Sequence, residues 1–446
     1  MKFTKILTKI GLVLLVILTV VLAARAVLNW TEGRKLTRAL AELKAKGVPL
    51  TAGDLASPCS DEDNAARLWK AAVNLLAVEE QDKEVLGRAF MDLVASKPME
   101  PSHRSALAGV IAKNQKALEL LHEMADKPCF LYRDPGTPLI EAIPPPEMVK
   151  MILATRLIGF DALLEAEKGE VPSAAERIRS GLGFASKVAQ EGTMITQLIA
   201  VADTRMLAGF LEAICRGRKV DDEILLRLIA DLEPGPWRER LAQTIKGERV
   251  VFIEAAKKAA SGTRMENAYL FGEPSRLNDI RAWLVRPFLK TDMRRTLPKL
   301  FDLEAQALLP YYESRGSLRA QDQQIETLPW YAFVSKLILG NFEAAFLKEA
   351  QLEATLLAAR TGLACKLFKN RTGAYPEALD ALVPGILNEV PIDPFTGKPF
   401  VYRREGEGFI VYSLGSNEKD DGGRSTYMIT QLVMDKDDDW AWKELW

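Results

Sequence analysis

The sequence predicts a mainly α-helical protein with an N-terminal transmembrane helix, a helical domain of packed hairpins and a small α+β C-terminal domain with an antiparallel sheet. Three observations support this fold class. An apolar run covers residues 10–28, and apolar residues then recur at three-to-four spacing from Thr31 to about Asn370. Short aromatic and β-branched runs follow from Pro399 onward. The length of 446 residues accommodates two or three domains.

The N-terminal apolar run is typical of an export signal, because lysines precede it at positions 2, 5 and 9. A cleaved signal peptide and an uncleaved anchor are both open, and both export the rest of the chain. We favour a transmembrane signal anchor over residues 1–30, since Arg25 can snorkel and Trp30 suits the interface. Cations on both sides of the run leave the orientation open. We expect a single-pass inner-membrane protein whose bulk lies in the periplasm or elsewhere outside the cytoplasm.

The bulk composition argues against one class of partner and leaves the cysteines open. Lys and Arg total 59 against 60 for Asp and Glu, so the chain has no basic footprint for nucleic acid. The four cysteines lie far apart in sequence, without the spacing of a zinc ribbon or a redox pair. They can form two disulfides in an oxidising compartment, or they can be small buried side chains in helices. The expected partners are the membrane and other envelope proteins, and the sequence names no small-molecule ligand.

Residues 31–328 are expected to form the helical domain. The segments 147–168 and 172–190 predict an αα-hairpin, with Ser173-Ala-Ala-Glu176 as a capping box at the start of the second helix. A third helix is predicted over residues 194–216, with a core-facing apolar stripe. The composition changes near Leu328-Pro329, where we place the boundary to a C-terminal domain over residues 329–446. That domain should combine a long helix with a small sheet.

Catalytic motifs are scarce in this sequence. Only His103 and His122 are available for triads or metal sites, and His122-Glu123-Met-Ala-Asp126 resembles a zincin helix whose second His is replaced by Asp. We therefore expect no catalytic residues and a non-enzymatic protein. The alternative is a membrane-anchored hydrolase with its site in the helical domain. A cleft with acidic residues around His122 would favour that alternative.

The C-terminal quarter carries the most informative motifs. They are Tyr375-Pro376, then Asp393-Pro394-Phe-Thr-Gly397, then Tyr412-Ser413-Leu414-Gly415, after a long helix that ends near Gly373. Residues 399–404 and 408–413 predict a β-hairpin, and residues 427–434 a third strand. In this order, the motifs resemble the soluble domain of the major pseudopilins of type II secretion. The resemblance implies a pseudopilin-like domain with a spine helix and a small β-sheet.

The N-terminus departs from that family. Lys2-Phe3-Thr4-Lys5-Ile6 lacks the Gly and the Glu of a prepilin peptidase site, and some three hundred residues separate the apolar run from the spine-like helix. We therefore expect an unprocessed N-terminus and no role as a fibre subunit. The predicted function is a scaffolding or interaction component of the bacterial envelope, related to type II secretion or pilus-like systems through its C-terminal domain.

The resemblance also implies a calcium site in the last loop, where the family binds calcium through carbonyl and carboxylate oxygens. Asn417 stands where the family has Asp, and acidic residues before Trp440 stand where its second Asp precedes a Trp. Calcium takes six to eight oxygen ligands and tolerates irregular loops. A solvated acidic loop is the alternative. The expected ligands are Leu414, Asn417, Asp420, Asp421, Asp437 and Asp439.

Overall fold

The computed structural model describes residues 2–55, 58–94, 97, 99–134, 137–139, 145–261, 275–340, 342–424 and 439–444. This part is mainly helical and has one small antiparallel sheet, which confirms the coarse fold class. The helices are α1 Lys2–Ala45, α2 Ala52–Leu55, α3 Ala65–Leu75, α4 Glu80–Val94, α5 Pro101–Lys113, α6 Gln115–Met124, α7 Pro145–Glu167, α8 Val171–Ala189, α9 Met194–Cys215, α10 Asp222–Asp231, α11 Gly235–Ser261, α12 Arg276–Gln306, α13 Tyr311–Glu326, α14 Phe333–Leu339 and α15 Phe342–Thr372. A 3₁₀ turn covers Leu379–Leu382, and the strands are β1 Val401–Glu405, β2 Gly408–Ser413 and β3 Trp440–Glu444.

Helix α1 is continuous from the apolar run into the folded body, well beyond residue 30. Within the described residues it is the one helix long and apolar enough to cross a membrane, with an 18-residue window of mean hydropathy 2.7 that is 0% buried. A helix of about 20 apolar residues spans the hydrocarbon core of a bilayer. The C-terminal third of α1 is partly buried, because Leu36 packs in a core that includes residues of α11 and α12. The apolar part therefore projects from a folded base.

The predicted helical hairpin is confirmed as α7 and α8, joined by Gly169 in the left-handed region at φ 91°. Helix α9 follows as the third predicted helix and packs against both. The predicted capping box at Ser173 is wrong. Helix α8 begins at Val171 with Pro172 in its first turn, where a residue without an N–H and with a fixed φ is well suited. The capping box instead joins Thr193 and Thr196 at the start of α9.

The predicted β-hairpin is confirmed as β1 and β2, with Tyr402 opposite Val411. Strand β3 pairs antiparallel with β2 and places Trp442 opposite Val411. The third strand expected over residues 427–434 lies outside the described residues. Helix α15 packs against β2 and β3, so the long helix and the sheet form one layered unit.

One hydrophobic core extends through both halves of the chain. It contains Trp69 and Phe184 from the helical part together with Leu363, Phe409 and Trp442 from the C-terminal part. The core is therefore continuous across residue 328. The domain boundaries at residues 30 and 328 stay predictions.

Candidate functional site

The Asp-Pro turn and the Ser-Leu-Gly strand end meet at Asp393, which is 1% exposed. Its Oδ1 accepts hydrogen bonds from the Ser413 hydroxyl at 2.8 Å and the Phe395 N–H at 2.9 Å. Its Oδ2 accepts from the Leu414 N–H at 3.1 Å and the Thr396 hydroxyl at 3.1 Å. One buried carboxylate with four donors fixes both segments, because each donor satisfies a lone pair that burial removes from water. Asp393 therefore anchors the start of the acidic loop.

The acidic loop, residues 414–424, is held by its own side chains. Asp420 accepts hydrogen bonds through Oδ1 from the Tyr412 hydroxyl at 2.7 Å and the Gly422 N–H at 2.9 Å. These two bonds lower the pKa of Asp420, the Tyr412 bond most. The Asn417 amide donates to Asp421 Oδ2 at 2.9 Å, so Asn417 pairs with a predicted co-ligand. Asp420 is thus held as an anion beside the strand end.

Asp439 approaches this loop from the start of β3 and is the most unusual acid of the group. It is 1% exposed, and its Oδ2 accepts the Gly423 N–H at 2.7 Å. Its Oδ1 makes no hydrogen bond of standard geometry within the described stretches of chain, although the Asp421 N–H approaches the carboxylate closely enough to lower its pKa. Burial first, and then the negative charges of Asp421 and Asp420, raise the pKa of Asp439 to about 6. A cation at this carboxylate would remove the charge repulsion among the three acids.

The predicted ligand set is therefore brought together only in part. Across the residues that the structure describes, no group of three or more His, Cys, Asp and Glu side chains is arranged to hold a metal ion. Asp437 lies outside the described residues. Three predicted ligands interact electrostatically at one end of the sheet, namely Asp420, Asp421 and Asp439.

His122 forms a second polar cluster, on the facing sides of α6, α7 and α8. Its Nδ1 is hydrogen-bonded to the Ser180 hydroxyl, and its Nε2 lies 3.6 Å from Asp161 Oδ2. Asp161 is buried and forms an ion pair with Arg177. The zincin-like pairing with Asp126 is not seen, because that side chain is exposed while His122 faces α7 and α8.

The residue types of this cluster are those of a nucleophilic triad, but the arrangement differs in two ways. Arg177 neutralises Asp161, which leaves less negative charge to orient an imidazolium. Ser180 lies inside α8, where backbone N–H groups already bond within the helix and cannot stabilise an oxyanion. The Ser180 hydroxyl also donates to the Arg177 carbonyl oxygen at 2.9 Å. The geometry suits a structural cross-link between helices better than acyl transfer.

Two of the four cysteines form a disulfide. Cys59 and Cys129 are bonded across 70 residues of sequence. Cys215 and Cys365 are free and buried, as expected for small side chains in helices. Burial raises the pKa of the Cys215 thiol to about 12, so neither nucleophilic nor metal chemistry is expected there.

Two buried acids lie between α9 and its neighbours. The sequence had predicted only apolar core residues along this face of α9. Asp203 is completely buried, and burial raises its pKa to about 8, against a weaker opposing effect of the Thr155 hydroxyl. Glu349 accepts a hydrogen bond from the Gln197 amide at 3.0 Å, and burial raises its pKa to about 8 as well. The signal for Asp203 was present in the sequence, as an acid among Ala and Val residues at core spacing.

Comparison of the chain with protein-family models, with curated proteins and with solved structures gives no match.

Proposed function

We propose that this protein is a non-enzymatic scaffolding or interaction component of the bacterial envelope, anchored in the inner membrane by α1 with its folded part in the periplasm. The observation that carries the proposal is the apolar window of α1, which is 0% buried and of mean hydropathy 2.7. Such a surface is stable in lipid and unfavourable in water. The buried base of the same helix joins the apolar part to the folded part, because Leu36 packs in its core.

The disulfide supports the proposed location of the folded part in the periplasm. Structural disulfides persist in oxidising compartments such as the periplasm and are rare in the cytosol. Cys59 and Cys129 lie in the folded part that would be exported. The proposed topology places this bond where it is stable.

Reporter fusions to the C-terminus of the full chain test this topology. Alkaline phosphatase should be active there, and green fluorescent protein should be dark. Leu15→Lys should weaken insertion, because a central lysine costs about 2.5–3.5 kcal/mol in a membrane helix. Thr37→Lys, on an exposed turn outside the apolar run, is the matched control and should leave the phosphatase active. An inactive phosphatase with a bright fluorescent fusion would contradict the proposal.

We also propose that residues 329–446 are a pseudopilin-like module reused in a protein that does not form fibres. Asp393 supports this relation, because it joins the Asp-Pro and Ser-Leu-Gly motifs through one carboxylate. The packing of the long helix α15 on a small antiparallel sheet is the arrangement that the resemblance implies. The partners of such a module would be other envelope proteins.

Calcium at the acidic loop is part of this proposal. Asp439 supports it, because its buried carboxylate lies next to Asp420 and Asp421, whose negative charges raise its pKa. Calcium at 100 times its dissociation constant should add about 2.7 kcal/mol to the free energy of unfolding. The affinity should be that of an extracellular module, on the order of 10⁻⁴ to 10⁻³ M.

Thermal unfolding of the full chain in detergent, with calcium and with chelator, tests the site. The melting temperature should rise with calcium, and Asp439→Asn should abolish the rise. Asp380→Asn, which removes an exposed acid from the 3₁₀ turn, is the control and should keep it. Equal melting temperatures of the parent protein in chelator and at about 100 mM calcium, 100 times the weaker expected dissociation constant, would show that the loop is a solvated acidic segment.

A hydrolase is the second candidate function. The contact of His122 with Ser180 beside Asp161 favours it. A fluorophosphonate probe would label Ser180 in the full chain if that serine were an activated nucleophile. We expect the parent protein and the Ser180→Ala variant to show the same labelling. Labelling lost in that variant, with an unchanged melting temperature, would favour the hydrolase.

A further inference from the structure

A short non-helical segment, residues 129–133, follows α6 and is called the strap below. Its first residue is joined to Cys59 by the disulfide. Among the described residues, the backbone of the strap pairs with other backbone only beside this bond, where Cys129 forms an isolated parallel bridge with Asn64. The covalent bond and the bridge therefore fix one end of the strap.

Side chains hold the rest of the strap. The Asn64 amide donates to the Leu131 carbonyl oxygen at 2.9 Å and accepts the Leu131 N–H at 3.0 Å. The Tyr132 N–H donates to Glu191 Oε2 at 2.9 Å. Arg133 Nε lies 3.3 Å from Glu191 Oε1, and the two side chains are 5% and 0% exposed. These contacts are separate from one another, so the strap can leave without breaking a ladder of strand hydrogen bonds.

The helices around the strap pack without it. Trp69 of α3 and Phe184 of α8 are fully buried, and their ring centres lie 5.6 Å apart. Helix α6 packs against both α3 and α8. The strap adds one buried apolar side chain to this core, Phe130. Segments with few buried apolar contacts open locally at a lower free energy than the whole fold. The strap can therefore open while the three helices stay folded.

The disulfide is within reach of a reductant, because Cys59 and Cys129 are both only half-buried. A dithiol reduces such a bond by thiol–disulfide exchange. One thiolate of the dithiol attacks a sulfur of the bond, and a mixed disulfide forms. The second thiolate then closes the dithiol into its own disulfide. Two electrons pass to Cys59 and Cys129, and each of them takes up one proton and becomes a thiol.

We infer that the bond between Cys59 and Cys129 is a redox-sensitive latch that keeps the strap closed. Reduction by a dithiol opens the strap and frees the connection between α6 and α7. The bond joins two points 70 residues apart, so its loss returns conformational entropy to the open state. An oxidising compartment keeps the latch closed at rest. The inference goes beyond the proposed scaffolding function and does not depend on the anchoring by α1.

Hydrogen–deuterium exchange of the full chain in detergent, read by mass spectrometry, tests the latch. The parent protein is compared with and without dithiothreitol, which serves as the dithiol. Peptides that cover the strap should exchange about tenfold faster or more after reduction, because the constraint of the bond is lost. Peptides from α9 and β2 should exchange at an unchanged rate. Re-oxidation with oxidised glutathione should restore slow exchange in the strap.

Two variants control for other effects of the reductant. Cys59→Ser combined with Cys129→Ser should exchange in the strap as fast as the reduced parent protein, with or without dithiothreitol. Cys215→Ala removes a free buried thiol and leaves the latch in place. That variant should behave like the parent protein in both conditions.

Three results would overturn the inference. Slow strap exchange in the reduced parent protein would show that the side chains hold the strap alone. Faster exchange throughout the chain would mean that the bond stabilises the whole fold and is not a latch. A bond that resists dithiothreitol in the folded protein would be out of reach of any dithiol partner. The parent protein decides each case even if the double serine variant fails to fold.

Discussion

Removal of Lys366 should destabilise the whole folded part, because this residue forms a buried ion pair with Glu444. The Lys366 Nζ lies 2.7 Å from Glu444 Oε1, and the two side chains are 7% and 1% exposed. The same oxygen accepts the Gly217 N–H at 2.9 Å, so the pair also fastens β3 to the end of α9. Lys366→Met keeps the volume of the stem and leaves a buried carboxylate without its cation. Breaking one side of a buried pair costs about 3–5 kcal/mol.

A double-mutant cycle separates the pair from its surroundings. Glu444→Gln keeps an acceptor for the Gly217 N–H, and combined with Lys366→Met it removes both charges. The double variant should recover most of the loss, because paired buried charges contribute little net free energy once desolvation is counted. Equilibrium unfolding of the detergent-solubilised chain, followed by tryptophan fluorescence, gives the four free energies.

The exposed pair of Arg404, on β1, with Glu377, in the segment before the 3₁₀ turn, is the matched control. Arg404→Met should cost less than about 1 kcal/mol, since surface ion pairs are screened by solvent. Equal losses for Lys366→Met and the double variant would refute the reasoning, because they would mean that the Glu444 carboxylate is not stranded. A loss confined to the sheet, with the helical part unfolding as in the parent protein, would contradict the continuous core.

Three further predictions concern the core and the N-terminus. Asp203→Asn should become more stable relative to the parent protein as pH rises, because the folded-state pKa of Asp203 is raised from 3.8 to about 8 and the parent protein loses stability between these pH values. The difference in the free energy of unfolding should grow by at most about 1.4 kcal/mol per pH unit. A difference in melting temperature that does not depend on pH would contradict this prediction. Gly362→Ala should cost about 1–3 kcal/mol, because a Cβ there overlaps the Trp442 ring; chemical unfolding measures this loss, and Gly316→Ala, with open space around it, should show none. The N-terminus should be retained through Trp30 without prepilin processing, and intact-mass measurement on membrane fractions would disprove this if it found a methylated end at Phe3.

Periodicity predicted the elements whose stability comes from local patterns. The α7–α8 hairpin, α9 and the β1–β2 hairpin follow from apolar spacing and turn residues, which act within a few positions of the chain. The start of α8 was misplaced because Pro172 favours the first turn more strongly than Ser173 favours the cap. Local competition of this kind decides boundaries that a motif alone does not fix.

Contacts between distant segments could not be predicted in the same way. The order of the motifs predicted a possible calcium site in the acidic loop. It could not predict the role of Asp393, because that role depends on the contact of two segments about 20 residues apart in sequence. The pairing of Cys59 with Cys129 and the burial of Asp203 depend on how helices pack, which composition leaves open. The contact of Arg25 with Trp283 could not be predicted either, because the two residues lie 258 positions apart in sequence.

The redox state of the cysteines in living cells tests the central claim, the export of the folded part, most directly. Cells are quenched in acid, and the denatured protein is alkylated with a polymeric maleimide before or after reduction. Of four cysteines, only Cys215 and Cys365 are free in the folded protein. Cys59→Ser, which leaves Cys129 unpaired, is the control and should give three adducts without reduction. Export predicts two adducts on the parent protein before reduction and four after it, whereas four adducts before reduction would place the folded part in the cytosol and contradict the account.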